Sequence, residues 1–186
     1  TRGVGNSAGT GAAVGTVTID TNDGAVAISD ITTSGGATGN TNADGAAAGA
    51  ITITTGNDNI ITLASSTLTA LGGAKNNNGT QGAGATINFD DPVALTTGTA
   101  TITTGATAGN ITFDSTVTGA QALTLTSGAG SITFTGVVGA TPLGLVTVNL
   151  AADVTTVAAF SSAGFNQATS GTGTTQIGGL LTSTAA

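Results

Sequence analysis

Nine aspartates are the only acidic side chains in this 186-residue chain, which has neither histidine nor cysteine. Nucleophilic triads and imidazole acid–base catalysis need histidine. Zinc and transition-metal sites need histidine, cysteine or clustered carboxylates. Carboxylates alone leave two chemistries open. A pair can hydrolyse glycosides, and the one adjacent pair is Asp90-Asp91 in "NFDDPVAL". Neighbours on a strand point to opposite faces and Pro92 sets a bend, so this pair is expected to end a strand as a turn. Hard cations are the other option, because Ca2+ takes carboxylate and amide oxygens from loops. "DTNDGA" supplies Asp20 and Asp23, "NTNADGA" supplies Asp44, and "TGNDNIITL" supplies Asp58. These four are the candidate Ca2+ ligands. None completes an EF-hand, and Asn/Asp/Gly loops are also ordinary turns.

The remaining composition narrows the function further. Aromatic residues are 3% of the chain, all Phe, which gives a sugar-processing cleft little to stack with. The net charge of −7, with Arg2 and Lys75 as the only cations, argues against nucleic acid. No apolar run reaches the roughly 18–20 residues of a membrane helix, so no membrane insertion is expected. Catalysis is not expected, and no cofactor beyond the Ca2+ candidates. Gly-x-Gly patterns follow from the 31 glycines, and no strand–loop–helix unit supports nucleotide binding. Asn78-Gly-Thr and Asn110-Ile-Thr match the N-glycosylation pattern, as chance allows in a Thr-rich text.

The elements that would position these residues are strands. Glu and Met are absent and Lys is nearly so, which removes most helix formers. Thr, Val and Ile recur in short alternating groups. Hydrophobic residues at 39%, with a mean hydropathy of +0.35, supply a core that a disordered chain lacks.

Those strands repeat. Ile87-x-Phe89, Ile111-x-Phe113 and Ile132-x-Phe134 return at 24 and then 21 residues. After each come two further apolar groups: Val93-x-Leu95 and Ala100-x-Ile102, Val117 and Leu123-x-Leu125, Val137/Val138 and Val146-x-Val148. Three short strands per 21–24 residues, separated by turns, predict an all-β parallel solenoid with apolar ladders inside and Thr outside. A β-sandwich would share the turn spacing but not the return of one element at one phase. Earlier, Val17-x-Ile19 with Val26-x-Ile28, and Ile51-x-Ile53 with Ile61-x-Leu63, Leu68 and Leu71, make longer units. The coil is therefore expected over 17–153, with insertions at 34–49 and 72–85. Both leave the same point of the repeat, so they should lie side by side. Residues 1–16 read as a loose Gly-rich segment or cap, and 154–186 as a less regular continuation.

The text from Gly109 to Asn149 and "GFNQATSGTGTTQIGGLL" resemble the filamentous-haemagglutinin-like β-solenoid adhesins of bacteria in style and repeat length. That resemblance implies an extracellular or cell-surface fibre, with cell-surface or glycan contact, and transfers no site residue. "TGNDNIITL" resembles half of the repeat of calcium-binding β-rolls. The acidic, Cys-free composition also resembles surface-layer proteins, which implies calcium-dependent assembly as the alternative. Thr-x-Thr groups raise ice binding, but in sequence order they are spread over all three strands and interrupted by Asp and Asn. Neither end carries an amphipathic capping helix, so the coil is expected either to belong to a longer chain or to self-associate end to end into filaments.

Overall fold

A computed structural model describes residues 11–39, 42–168 and 173–184. The described residues contain sixteen strands and no helix. They wind as successive rungs. The first rung holds β1 (Val17–Asp20) and β2 (Val26–Thr32), and the second β3 (Ile51–Thr54) and β4 (Ile61–Thr69). The third holds β5 (Ile87–Phe89), β6 (Val93–Thr97) and β7 (Ala100–Thr103). The fourth holds β8 (Ile111–Phe113), β9 (Val117–Thr118) and β10 (Leu123–Thr126). The fifth holds β11 (Ile132–Phe134) and β12 (Val138–Leu150), and the sixth β13 (Val154–Thr156) and β14 (Phe160–Gln167). The last described rung holds β15 (Thr175–Ile177) and β16 (Leu181–Ser183).

Every pairing is parallel, and equivalent strands of successive rungs stack in register. A seven-stranded sheet runs β1-β3-β5-β8-β11-β13-β15 and forms the first face. The nine-stranded sheet forms the second and third faces, because several strands turn the corner between them. In β4, Ile61–Leu63 pairs with β6 while Thr67–Thr69 pairs with β7. Here the structure differs from three separate strands per unit: β4 bends at Ser65, whose φ is +54°, and β12 likewise spans both faces.

Alternation explains the core. Ile51, Ile87, Ile111, Ile132 and Val154 form one internal column, continued in register by the exposed Thr175. Phe89, Phe113 and Phe134 form the next, with ring centroids 4.9 Å apart and planes within 2°. That offset stacking adds roughly 0.5–1.5 kcal/mol per pair to the burial. The near-zero rotation means that these rungs repeat by translation. The column then changes hands. Thr156 takes the Phe position, and Phe160, in the second-face column of Val93, Val117 and Val138, turns edge-on to Phe134 at 5.5 Å. The exchange keeps the core filled, and it is why 154–186 loses its motif while β13 to β16 stay on both sheets.

Thr is not confined to the outside as expected. Thr33, Thr55, Thr104, Thr156 and Ser66, Ser127, Ser162 are buried, mostly at corners where a hydroxyl can satisfy a carbonyl. Thr33 donates to Gly49 O (2.6 Å), Thr104 to Gly109 O (2.8 Å) and Ser127 to Gly130 O (2.9 Å). Val137 is exposed and Leu71 half-buried, whereas Val138 and Leu68 carry the core.

The glycine-rich insertions pack on one another. Gly35 N donates to Leu71 O, Gly45 N to Thr80 O and Ala48 N to Ala83 O, at 2.8–2.9 Å. Across the layer, Gly82 N bonds Gly73 O, Gly73 N bonds Ala46 O, Ala46 N bonds Gly36 O, and Gly36 N bonds Ala12 O, at 2.8–3.1 Å. The buried positions here (Ala70, Gly72, Gly73, Gly79, Gly82) do not follow the two-residue alternation of the strands. These segments carry no strand assignment and form a glycine fin at the corner after the third face. A Cβ on Gly82 would sit 2.0 Å from Ala46 O, so close backbone approach requires glycine there. Of the loose segment expected at 1–16, residues 1–10 lie outside the described residues.

Candidate functional site

The corner between the first and second faces gathers three of the four calcium candidates. The Asp20–Gly24 turn stacks on the Thr55–Asn59 turn, with a Cβ on Gly56 set to meet Asn22 O at 1.8 Å. Asn22, Asn57 and Asp58 hold φ of +56°, +48° and +54°, a conformation Asn and Asp tolerate. Asp20 Oδ1 accepts from Asn22 N (2.9 Å), and Asp23 Oδ1 accepts from the amides of Asn57 (2.9 Å) and Asn59 (3.4 Å). Asp58 makes no side-chain hydrogen bond among the described residues. Asp44 lies apart in the fin, where Oδ1 accepts from Thr80 N (2.6 Å). Among the described residues no group of three or more His, Cys, Asp or Glu could hold a metal ion.

Four further aspartates also accept hydrogen bonds from a neighbouring rung. Asp30 accepts from Thr67 N (2.8 Å), and Asp153 accepts from Thr174 N (2.7 Å). Asp91, 8% exposed, accepts from Thr55 N (2.6 Å), and Asp90 accepts from Thr54 Oγ1 and the Asn88 amide. The Asp90-Asp91 turn thus directs both carboxylates to the preceding rung. Asn42 and Asn110 act alike toward Asn78 N and Ser131 N. A turn side chain reaching the backbone of the adjacent rung replaces water at an N–H that the strands leave unpaired. Sequence reasoning missed this role because donor and acceptor lie 21 to 37 residues apart.

Along the corner where the fin departs runs an open groove of about 570 Å3, lined by small residues including Ala48, Gly49, Ala85, Gly109 and Gly130. Its lining holds Asn110 and two threonines as the side chains able to hydrogen-bond, and no titratable group. No helix among the described residues is long and apolar enough to cross a membrane.

The outward surfaces differ from face to face. On the first, Thr18, Thr52, Asn88, Thr112, Thr133, Thr155 and Gln176 form one column in register. Asp20 and Asp90 stand at the ends of its strands, with Asp114 and Asp153 beside them. The second alternates Ala27, Thr62, Ala94 and Thr118. The third carries two columns: Thr67, Thr101, Thr124 and Thr147, and beside it Thr69, Thr103 and Thr126. Behind them Leu68, Ile102, Leu125 and Val148 are fully buried. The hydroxyls of Thr67, Thr69, Thr101, Thr124 and Thr147 make no hydrogen bond among the described residues. That of Thr103 accepts from Gly105 N, and that of Thr126 from the Asn149 amide. Three of the Thr-x-Thr groups, at 67–69, 101–103 and 124–126, stack on the third face, while Thr16-x-Thr18 and Thr52-x-Thr54 lie on the first and Thr116-x-Thr118 on the second. No family model, curated protein or solved structure matches the chain, and its all-parallel two-sheet architecture is that of a β-solenoid.

Proposed function

We propose that this chain is a structural module of an extracellular fibre or adhesin of the filamentous-haemagglutinin type, extended by adding rungs. The observation that supports this reading is where its polar side chains go. Asp30, Asp44, Asp91, Asp153, Asn42 and Asn110 each accept an N–H from a neighbouring rung. Side chains committed to holding rungs together suit a load-bearing rod better than a catalyst. Stacking continues within a longer chain or end to end between subunits. A head-to-tail contact of this kind does not close on itself. Contact with a cell surface or glycan would fall to the outward faces.

The second reading, a surface-layer module assembled by calcium, draws on Asp20, Asp23 and Asp58 sharing one corner. Electron microscopy of the purified chain before and after chelation separates the two. Filaments with a ~4.8 Å axial repeat that survive chelation are expected. Discrete particles, or filaments that dissolve with the chelator, would overturn the fibre reading in favour of calcium.

A further inference from the structure

We propose that the third face binds ice. Its two threonine columns form a rectangular grid from Thr67 and Thr69 to Thr124 and Thr126, and at the next rung Thr147 continues the first column while a register shift brings Leu150 opposite Thr126. Along the coil the repeat is the rung translation, 4.9 Å by the stacked Phe rings of the third to fifth rungs. Across the coil the columns are two residues apart on one strand, about 6.7 Å. The prism faces of hexagonal ice present rectangular grids of oxygen atoms with repeats on the same scale.

A grid matches a lattice only if it stays flat. Parallel sheets ordinarily twist by about 20–25° per strand, whereas the core Phe planes behind the first face of the third to fifth rungs differ by 2° and 1°, so these rungs repeat with little rotation. Fully buried Leu68, Ile102, Leu125 and Val148 hold the threonines from behind.

The chemistry fits a neutral lattice of water. In a chain of net charge −7, no charged residue falls between Thr67 and Thr147 in either column. Asp30 joins only on the first rung, beside Thr67. Five hydroxyls remain open to water, while threonines at the corners have theirs committed to carbonyls. Each open hydroxyl can anchor one water. The face can thus hold a water layer already spaced for the lattice, and prior ordering lowers the entropic cost of immobilising it. A crystalline polysaccharide would call for exposed aromatic rings instead. Four of the five Phe are fully buried, and Phe165 packs edge-on against Phe160. This inference is independent of the fibre reading, since an isolated block and a long fibre would carry the same face.

The test grows ice slowly through a solution of the chain and measures its enrichment in the ice fraction and the arrest of recrystallisation. The parent is expected to enter the ice. Thr124→Lys, at the centre of the grid, should lose both effects, and Thr124→Val, which keeps the methyl spacing, should retain most of them. Thr112→Lys on the first face should behave as the parent. Circular dichroism melts of all variants matching the parent tie any loss to the surface. Exclusion of the parent from ice overturns the proposal. So does a loss with Thr112→Lys but not Thr124→Lys, or Thr124-dependent capture by crystalline cellulose or chitin without enrichment in ice.

Discussion

The coil and the glycine fin are both parallel stacks joined by backbone hydrogen bonds, yet they obey opposite packing rules. In the coil, every second residue is a large apolar side chain, and stability comes from the area it removes from water. In the fin, the buried residues are nearly all Gly or Ala, and the segments approach until backbone meets backbone. Gly73 and Gly82 sit where a side chain would strike the carbonyls of Gly36 and Ala46, at 2.0 Å in each case. The coil tolerates polar surface and demands bulk inside. The fin demands the absence of bulk and has little apolar area to bury. Its order should accordingly depend on the coil it grows from, and not the reverse.

The strongest way to break that comparison is within the coil. Phe113 lies between two parallel rings, so Phe113→Ala removes burial and two stacking contacts together. A loss of about 3–5 kcal/mol is expected from denaturant melts, with coil and fin unfolding in one transition. Phe113→Asp leaves an unpaired charge in the ladder and should give no cooperative melt. A parent-like melt for the aspartate variant would refute the register described here.

Next in size is Gly82→Ala, which overpacks the fin at a cost of about 1–3 kcal/mol. Amide exchange should rise at Ala46, Gly73 and Gly82 while Ile111 and Ile132 keep their protection. Equal loss of protection in both regions would mean that the fin supports the coil. Thr156→Val works in the stabilising direction. Thr156 is 1% exposed, and its Oγ1 has no hydrogen-bond partner among the described residues, so replacing the hydroxyl with a methyl should add about 1 kcal/mol to the melt. Smallest is Asp44→Ala, which frees an exposed bond to Thr80 N. Faster exchange at Thr80, with an unchanged melting temperature, is the expected result.

How much of this was legible follows from which residues carry each signal. The coil announces itself because Ile-x-Phe returns at one phase, and a two-residue alternation survives any change of turn. The fin was legible only as two insertions at the same point. The glycines whose backbones touch, such as Gly35, Gly45, Gly72, Gly73 and Gly82, follow no fixed spacing that would set them apart from the other glycines in the text. The sixth rung looked irregular because Thr156 and Phe160 exchange bulk between two faces, and a motif search follows one column at a time. The aspartates suggested ligands because Asp in a turn reads identically whether it faces a cation or the next rung's N–H. Similarly, Thr33, Thr104 and Ser127 read as surface residues, since only the coil's closure shows a hydroxyl turning inward at a corner.

Those three hydroxyls have a wider consequence. They close the same corner across 16, 5 and 3 residues of chain. The clamp fixes the two ends of a connection and is indifferent to what lies between them. Loop-closure entropy grows only with the logarithm of length, so the corner is a natural docking port for grafted sequence. A protein engineer could splice a foreign peptide between Thr104 and Gly109 and expect the rungs on either side to keep their spacing. Lineages of such coils would be free to vary outward at this one edge while their interiors stay fixed.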